Sequence, residues 1–122
     1  MVNSRQKGKS GELEVAHILQ KYGYDAIRGQ QYSGANGDAD VIGLPGIHIE
    51  VKRCETMQVN KWLQQSVEDA YADGIKHGCE MMPVVIHREN CDRKKDGNPI
   101  KGKWKVSMLL DDFMNLYGRL EK

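Results

Sequence analysis

The sequence predicts a single α/β domain over residues 1–122, with a mixed central sheet of about five strands flanked by helices in the order α-β-β-β-α-β-β-α. Three observations carry this. Apolar residues recur with a helical period in three segments of the chain. One segment, IHIEVKR, alternates apolar and polar residues with a period of two. Short apolar runs bounded by glycine or proline separate these segments.

The first helix is expected over residues 10–22, where Val15, Ile18, Leu19 and Tyr22 form a stripe, and Gly23 supplies a stop. Residues 24–28 read as a short strand. The following GQQYSGANGD has three glycines and no periodicity, so it reads as a loop. Residues 39–43 and 47–53 read as strands joined by Leu44-Pro45-Gly46. In the second, Ile47, Ile49 and Val51 alternate with His48, Glu50 and Lys52. A long helix is expected over 59–76, with Val59, Leu63, Ser66, Ala70 and Gly74 on one stripe whose small residues suit close packing on a sheet. Residues 83–87 and 104–109 read as strands, with the basic 88–103 segment as a long hairpin connection between them. A terminal helix over 110–120 carries Asp111 and Asp112 in its first turn, where the helix dipole favours anions.

Composition narrows the class. The chain is 39% hydrophobic and 29% charged, a globular balance, and no apolar run reaches the length of a membrane span. No apolar signal segment follows the basic N-terminus. Cys54, Cys79 and Cys91 form an odd set without a CxxC pair, so a cytoplasmic or other intracellular setting, in a prokaryote or a virus-infected cell, is expected. A net charge of +1 announces no nucleic-acid partner, yet the basic residues are clustered. Arg5, Lys7 and Lys9 crowd the N-terminus, and a second group runs from 87 to 105. Such clusters are either phosphate-binding patches or solvated loops.

The chemistry concentrates in GDADVIGLPGIHIEVKR, residues 37–53, where charges interrupt two strands that would otherwise be apolar. His48, Glu50 and Lys52 project from one strand face. If residues 39–43 pair with 47–53 through the turn, Asp40 lies across from that row. Two converging carboxylates repel each other and lose water; a divalent cation relieves both costs, and carboxylate oxygens are the ligands Mg²⁺ takes. A neighbouring lysine can stabilise charge developing on phosphorus or orient the attacking water. Metal and lysine together form machinery for phosphodiester hydrolysis. A bare acid-x-Lys is weak: Asp92-Arg93-Lys94 matches it too. The alternative for 47–53 is an edge strand whose Glu50 and Lys52 merely pair. Glu12 lies near the sheet-facing side of the first helix, whereas Glu14 is expected to face water. The alternative for Glu12 is an acid placed in a helix first turn.

KGKSGELEVAHILQKYGYDAIR, SGANGDADVIGL and IHIEVKR together resemble the archaeal-type Holliday junction resolvases, a branch of the PD-(D/E)xK nuclease superfamily with a restriction-endonuclease-like fold. The matching positions are Lys7-Gly8, Glu12, Gly23, Arg28, Ser33-Gly34, Asp40 and Glu50-Val51-Lys52, all within roughly the first 55 residues. The resemblance implies a Mg²⁺-dependent endonuclease, with Mn²⁺ as a substitute, in which Glu12, Asp40 and Glu50 bind metal and Lys52 is the catalytic lysine. It implies a homodimer acting on four-way DNA junctions, with Arg5, Lys7, Lys9, Arg28, Tyr32, Ser33 and Arg53 approaching DNA. One departure is Ala39 before Asp40, where the family has proline, with an extra acid at Asp38. The alternatives are another PD-(D/E)xK nuclease, of restriction or repair type, and a non-catalytic DNA-binding dimer.

Other residues are weighed alongside these. Gly29, Gly34 and Gly37 suit either a phosphate-approaching backbone or an ordinary mobile loop. His48 reads as a satisfied polar neighbour of Glu50, the alternative being contact with a metal-bound water. His77, Cys79, His87 and Cys91 fit no standard zinc spacing. Trp62 and Trp104 occupy apolar positions that suit core or interface.

Overall fold

The computed structural model describes residues 4–29, 39–89, 91–95 and 98–121; the side chains of 4–7, 91–95 and 98–101 are outside the description. The elements are α1 (Ser4–Lys21), β1 (Ile27–Arg28), β2 (Val41–Ile42), β3 (Ile47–Arg53), α2 (Val59–His77), β4 (Met82–Arg88), β5 (Cys91–Lys95), β6 (Asn98–Lys101), β7 (Lys105–Ser107) and α3 (Leu110–Leu120). Five strands form one mixed sheet in the order β1-β2-β3-β4-β7, so the expected α/β architecture is present. Only the central β3–β4 pair is parallel, its crossover made by α2; β1–β2, β2–β3 and β4–β7 are antiparallel.

Alternation along β3 divides the sheet into two faces. Ile49 and Val51, in register with Val84 and Ile86 of β4, join Val15 and Ala16 of α1, Ala26 and Val41 in the apolar core. On the opposite face, α2 turns Trp62, Ser66, Ala70, Asp73 and Gly74 inward. The small residues of the predicted stripe therefore do lie against the sheet. Gly78 ends α2 in the left-handed conformation (φ 70°), with the Cys79 N–H donating to the Gly74 carbonyl at 3.0 Å.

Several element boundaries differ from the sequence expectation. Helix α1 begins at Ser4 rather than at residue 10. Its early turns contain no proline, and Gly8 and Gly11 cost only about 1 kcal/mol each, which does not stop a helix already anchored by Val15 and Ala16. Glu12 thus sits mid-helix, and the helix dipole no longer accounts for it. Strands β1, β2 and β7 are shorter than expected, and the basic connection contains its own antiparallel ladder, β5 with β6.

Glu14, expected to face water, is instead half-buried. It accepts from Arg88 Nη2 at 3.0 Å and from Trp104 Nε1 at 3.3 Å, while the guanidinium of Arg88 lies 5.2 Å from the Trp104 ring centre. Arg88 is only 2% exposed, so the carboxylate is the counter-charge that makes its burial tolerable. Trp104 accordingly belongs to the rim of the core, and Trp62 is buried under α2.

Gly29 likewise has a packing role rather than loop mobility. Its N–H donates to the Asp40 carbonyl at 2.8 Å, and a Cβ added there would fall on the Ala39 carbonyl oxygen, far inside contact distance. Gly34 and Gly37 lie outside the described residues. Gly29→Ala is expected to lower unfolding free energy by about 3 kcal/mol through this clash. By contrast, Gly8→Ala, in exposed helix with open space around it, should raise it by about 0.5–1 kcal/mol. Urea denaturation of both variants measures the contrast.

Candidate active site

The β2–β3 register builds the site. Val41 faces Ile49, and one step along the antiparallel ladder sets Asp40 opposite Glu50. The Asp40 N–H donates to the Ile49 carbonyl at 2.9 Å, and Asp40 Oδ2 accepts from the Val51 N–H at 2.8 Å. The acid is thereby fastened to β3 by both backbone and side chain. Asp40 is 8% exposed. Its carboxylate is hydrogen-bonded to that of Glu50, with the proton favoured on Glu50. Burial, then the charge of Asp40 and the bond to it, push Glu50 up to about 7, against the opposing bond from His48. Such a donor set is chemically suited to a hard divalent cation.

Glu12 approaches from α1. Burial raises its carboxyl above the usual range and the charge of Asp40 adds to this, while Arg28 works against both. Arg28 Nε donates to Glu12 Oε1 at 2.6 Å. Glu12 is therefore within electrostatic reach of Asp40 but turned onto Arg28, and the three acids do not form one tight cluster among the described residues. Lys52 follows Glu50 on the same face, half-buried, opposite His87 of β4.

Glu50 has a second neighbour. His48, fully buried, joins Glu50 Oε1 through Nε2 at 2.8 Å and Asp73 Oδ2 through Nδ1 at 2.7 Å. Burial alone would lower the imidazole pKa, yet the bonds to Glu50 and Asp73 and their charges outweigh it, so His48 is raised overall. Asp73 also accepts from His77 Nδ1 through Oδ1 at 2.7 Å. The expected reading of His48 as a satisfied polar residue matches this geometry. Asp69 approaches too: one ligand atom from each of His48, Glu50 and Asp69 lies within 4.8 Å of the others. Sequence reasoning missed Asp69 and Asp73. Their signal was positional, each preceding a small residue, Ala70 or Gly74, of the stripe that packs on the sheet.

The remaining candidates scatter. Arg53 lies 3.6 Å from Glu14 and donates to Ser10 Oγ at 3.5 Å, which ties it into the structural ion pair. Lys9 is exposed on α1. Arg5 and Lys7 occupy the same helix, with side chains outside the description, and Asp38, Tyr32 and Ser33 lie outside the described residues. His87 accepts or donates at Ser107 Oγ (2.7 Å), and burial followed by the charge of Lys105 lowers its pKa. His77 is held by Asp73 and Cys79 is exposed, so these residues form no zinc site among the described ones.

Known proteins were compared with the chain. No curated protein matches it. Among solved structures, Archaeoglobus fulgidus Hjc, a Holliday junction resolvase from an archaeal hyperthermophile, is similar at 18% identity, with 83% of this chain and 76% of that one covered and a TM-score of 0.48. The profile of a family described as "Phage putative PDDEXK endonuclease" matches residues 3–122. With nearly the whole length matched, the chain belongs to this phage PD-(D/E)xK endonuclease family.

Proposed function

We propose that the protein is a Mg²⁺-dependent, structure-selective DNA endonuclease that hydrolyses phosphodiesters at four-way junctions as a homodimer. The observation that carries the catalytic part is the pairing of Asp40 with Glu50 across β2 and β3, followed on the same face by Lys52. Asp40 and Glu50 would hold the cation, with Glu12 next to Asp40 as the third acid. Bound there, a divalent ion supplies the positive charge that neutralises phosphate oxygens and favours ionisation of water.

The chain's own groups do the rest. The Val51 N–H keeps Asp40 oriented, so one of its oxygens has a fixed direction. The Lys52 ammonium donates to a non-bridging phosphate oxygen and stabilises charge as water attacks phosphorus and the bridging oxygen leaves. Arg28 holds Glu12 at the edge of the site. Exposed Lys9, Lys103 and Lys105 supply phosphate contacts.

Junction selectivity and the dimer rest on other supports. The motif set around Lys7-Gly8, Ser33-Gly34 and Asp40 resembles junction resolvases. Cutting two strands symmetrically requires two copies of a one-site domain. Helix α3 exposes Leu110, Phe113, Met114, Tyr117 and Leu120 at helical spacing and buries none of its residues, which suits a self-complementary apolar face.

Labelled junction, duplex and flap DNA, each with Mg²⁺ or with EDTA, test the reading. Junction cutting should depend on Mg²⁺ and fall at least 100-fold in both Asp40→Asn and Lys52→Ala, while junction binding persists and weakens with salt. Equal cutting of duplex would remove the junction selectivity; binding without cutting under any divalent ion would remove the enzyme.

Sedimentation tests the assembly. The wild type should run at twice the chain mass and Phe113→Asp at the monomer mass. A monomeric wild type would refute the dimer.

Because Glu50 is raised to about 7, the metal-free folded protein keeps a proton that the unfolded chain gives up near the ordinary glutamate value of 4.5. The stability contributed by Glu50 is thus full below about pH 4.5 and is lost as pH rises through 4.5 to 7; the raised His48 adds a loss in the same direction. A cation at Asp40 and Glu50 displaces that proton. Melting temperature should therefore rise more on adding Mg²⁺ at pH 8 than at pH 5, as read by calorimetry.

A further inference from the structure

On the α2 side of Glu50 the sheet face carries more ligand chemistry than the Asp40 pairing uses. Three features coincide there. His48 is fully buried with Nδ1 committed to Asp73 at 2.7 Å, so Nε2 is the nitrogen that faces Glu50. Asp73 is itself fixed by His77, at 2.7 Å, and is 4% exposed. This carboxylate–imidazole pair, anchored from behind, is the arrangement that orients metal-binding histidines. Ligand atoms from His48, Glu50 and Asp69 all lie within 4.8 Å of one another.

The His48–Glu50 spacing also fits. Neighbouring ligand atoms in an octahedral shell with bonds of about 2.1 Å lie about 3 Å apart, and opposite ones about 4.2 Å. The Nε2 to Oε1 separation is 2.8 Å, an octahedral edge. Among the described residues, Asp69 otherwise accepts from Gln65 Nε2 at 3.2 Å, an exposed contact that it can release.

We infer that His48 Nε2, Glu50 and Asp69 form a second divalent-cation site, so that Glu50 is shared between this site and the one at Asp40. One imidazole nitrogen with two carboxylates favours Mn²⁺ or a later first-row ion over Mg²⁺, which takes oxygen ligands. Its position as a site stands on the geometry alone. Only its role beside the scissile phosphate rests on the nuclease reading, where two ions sharing a carboxylate can flank the attacking and leaving oxygens.

Mn²⁺ titration followed by electron paramagnetic resonance, on chain without a histidine tag, tests this. The wild type should take up two Mn²⁺ per chain, one showing nitrogen coupling in spin-echo spectra. Asp69→Asn, a change on the half-exposed side of a helix that leaves the core intact, should weaken the nitrogen-coupled ion at least 10-fold. His48→Gln should abolish the coupling, and Asp40→Asn should keep it while losing the other ion. One Mn²⁺ per chain, lost with Asp40→Asn, indifferent to Asp69→Asn and without nitrogen coupling, would overturn the second site and leave the nuclease reading intact. A nitrogen-coupled ion in a protein that cuts no DNA would do the reverse. Absence of any Mn²⁺ uptake would refute the site outright.

Discussion

The side chain of Asp40 and the backbone of β3 are bound to each other, and the rest of the site depends on that attachment. Oδ2 takes the Val51 N–H while the Asp40 N–H reaches the Ile49 carbonyl. A strand of two residues, β2, would slide easily in register if backbone pairing alone held it. The additional side-chain bond ties the register to the acid itself. Any slip that moved Asp40 away from Glu50 would also break a buried hydrogen bond. Gly29 acts from the other edge, since only a residue without a Cβ allows β1 to approach Ala39 so closely.

The two sheet faces divide labour. The α1 face is apolar, with Ile49, Val51, Val84 and Ile86 in one cluster, and provides the burial that stabilises a small domain. The α2 face contains His48, Glu50 and Asp73, whose polar atoms are satisfied by one another rather than by solvent. Placing these groups beneath a helix raises the Glu50 pKa. Glu14 and Arg88 solve a separate problem: they bind the middle of α1 to the end of β4 around Trp104, where apolar packing gives way to charge.

Much of the architecture was legible because it is local. The alternation in IHIEVKR reproduces β3 end to end, since side-chain period and backbone geometry are the same fact seen twice, and the helix expected over 110–120 matches α3. The placement of Asp40 across from Glu50 was also readable, as a tight turn leaves two strands little freedom of register. Long-range pairing was not. Nothing near Glu14 in sequence announces Arg88, seventy-four positions away, so the expectation that Glu14 faces water assumed an empty flank. Asp69 and Asp73 looked like ordinary surface acids of a helix, because their partners belong to a strand whose face could be assigned only after α2 was docked. The early start of α1 escaped notice since basic, polar residues give no periodic apolar signal.

That early start turns the N-terminal segment from a tail into a rod. Residues 5, 9 and 12 follow one another at steps of four and three, so Arg5 and Lys9 occupy the same longitudinal row of α1 as Glu12. At about 1.5 Å per residue, the row measures roughly 10 Å from Arg5 to Glu12. A single residue inserted after Lys9 would rotate the two basic positions by about 100° about the axis while leaving composition and charge unchanged. Phase, and not merely the number of positive charges, is thus a heritable property of this end of the molecule.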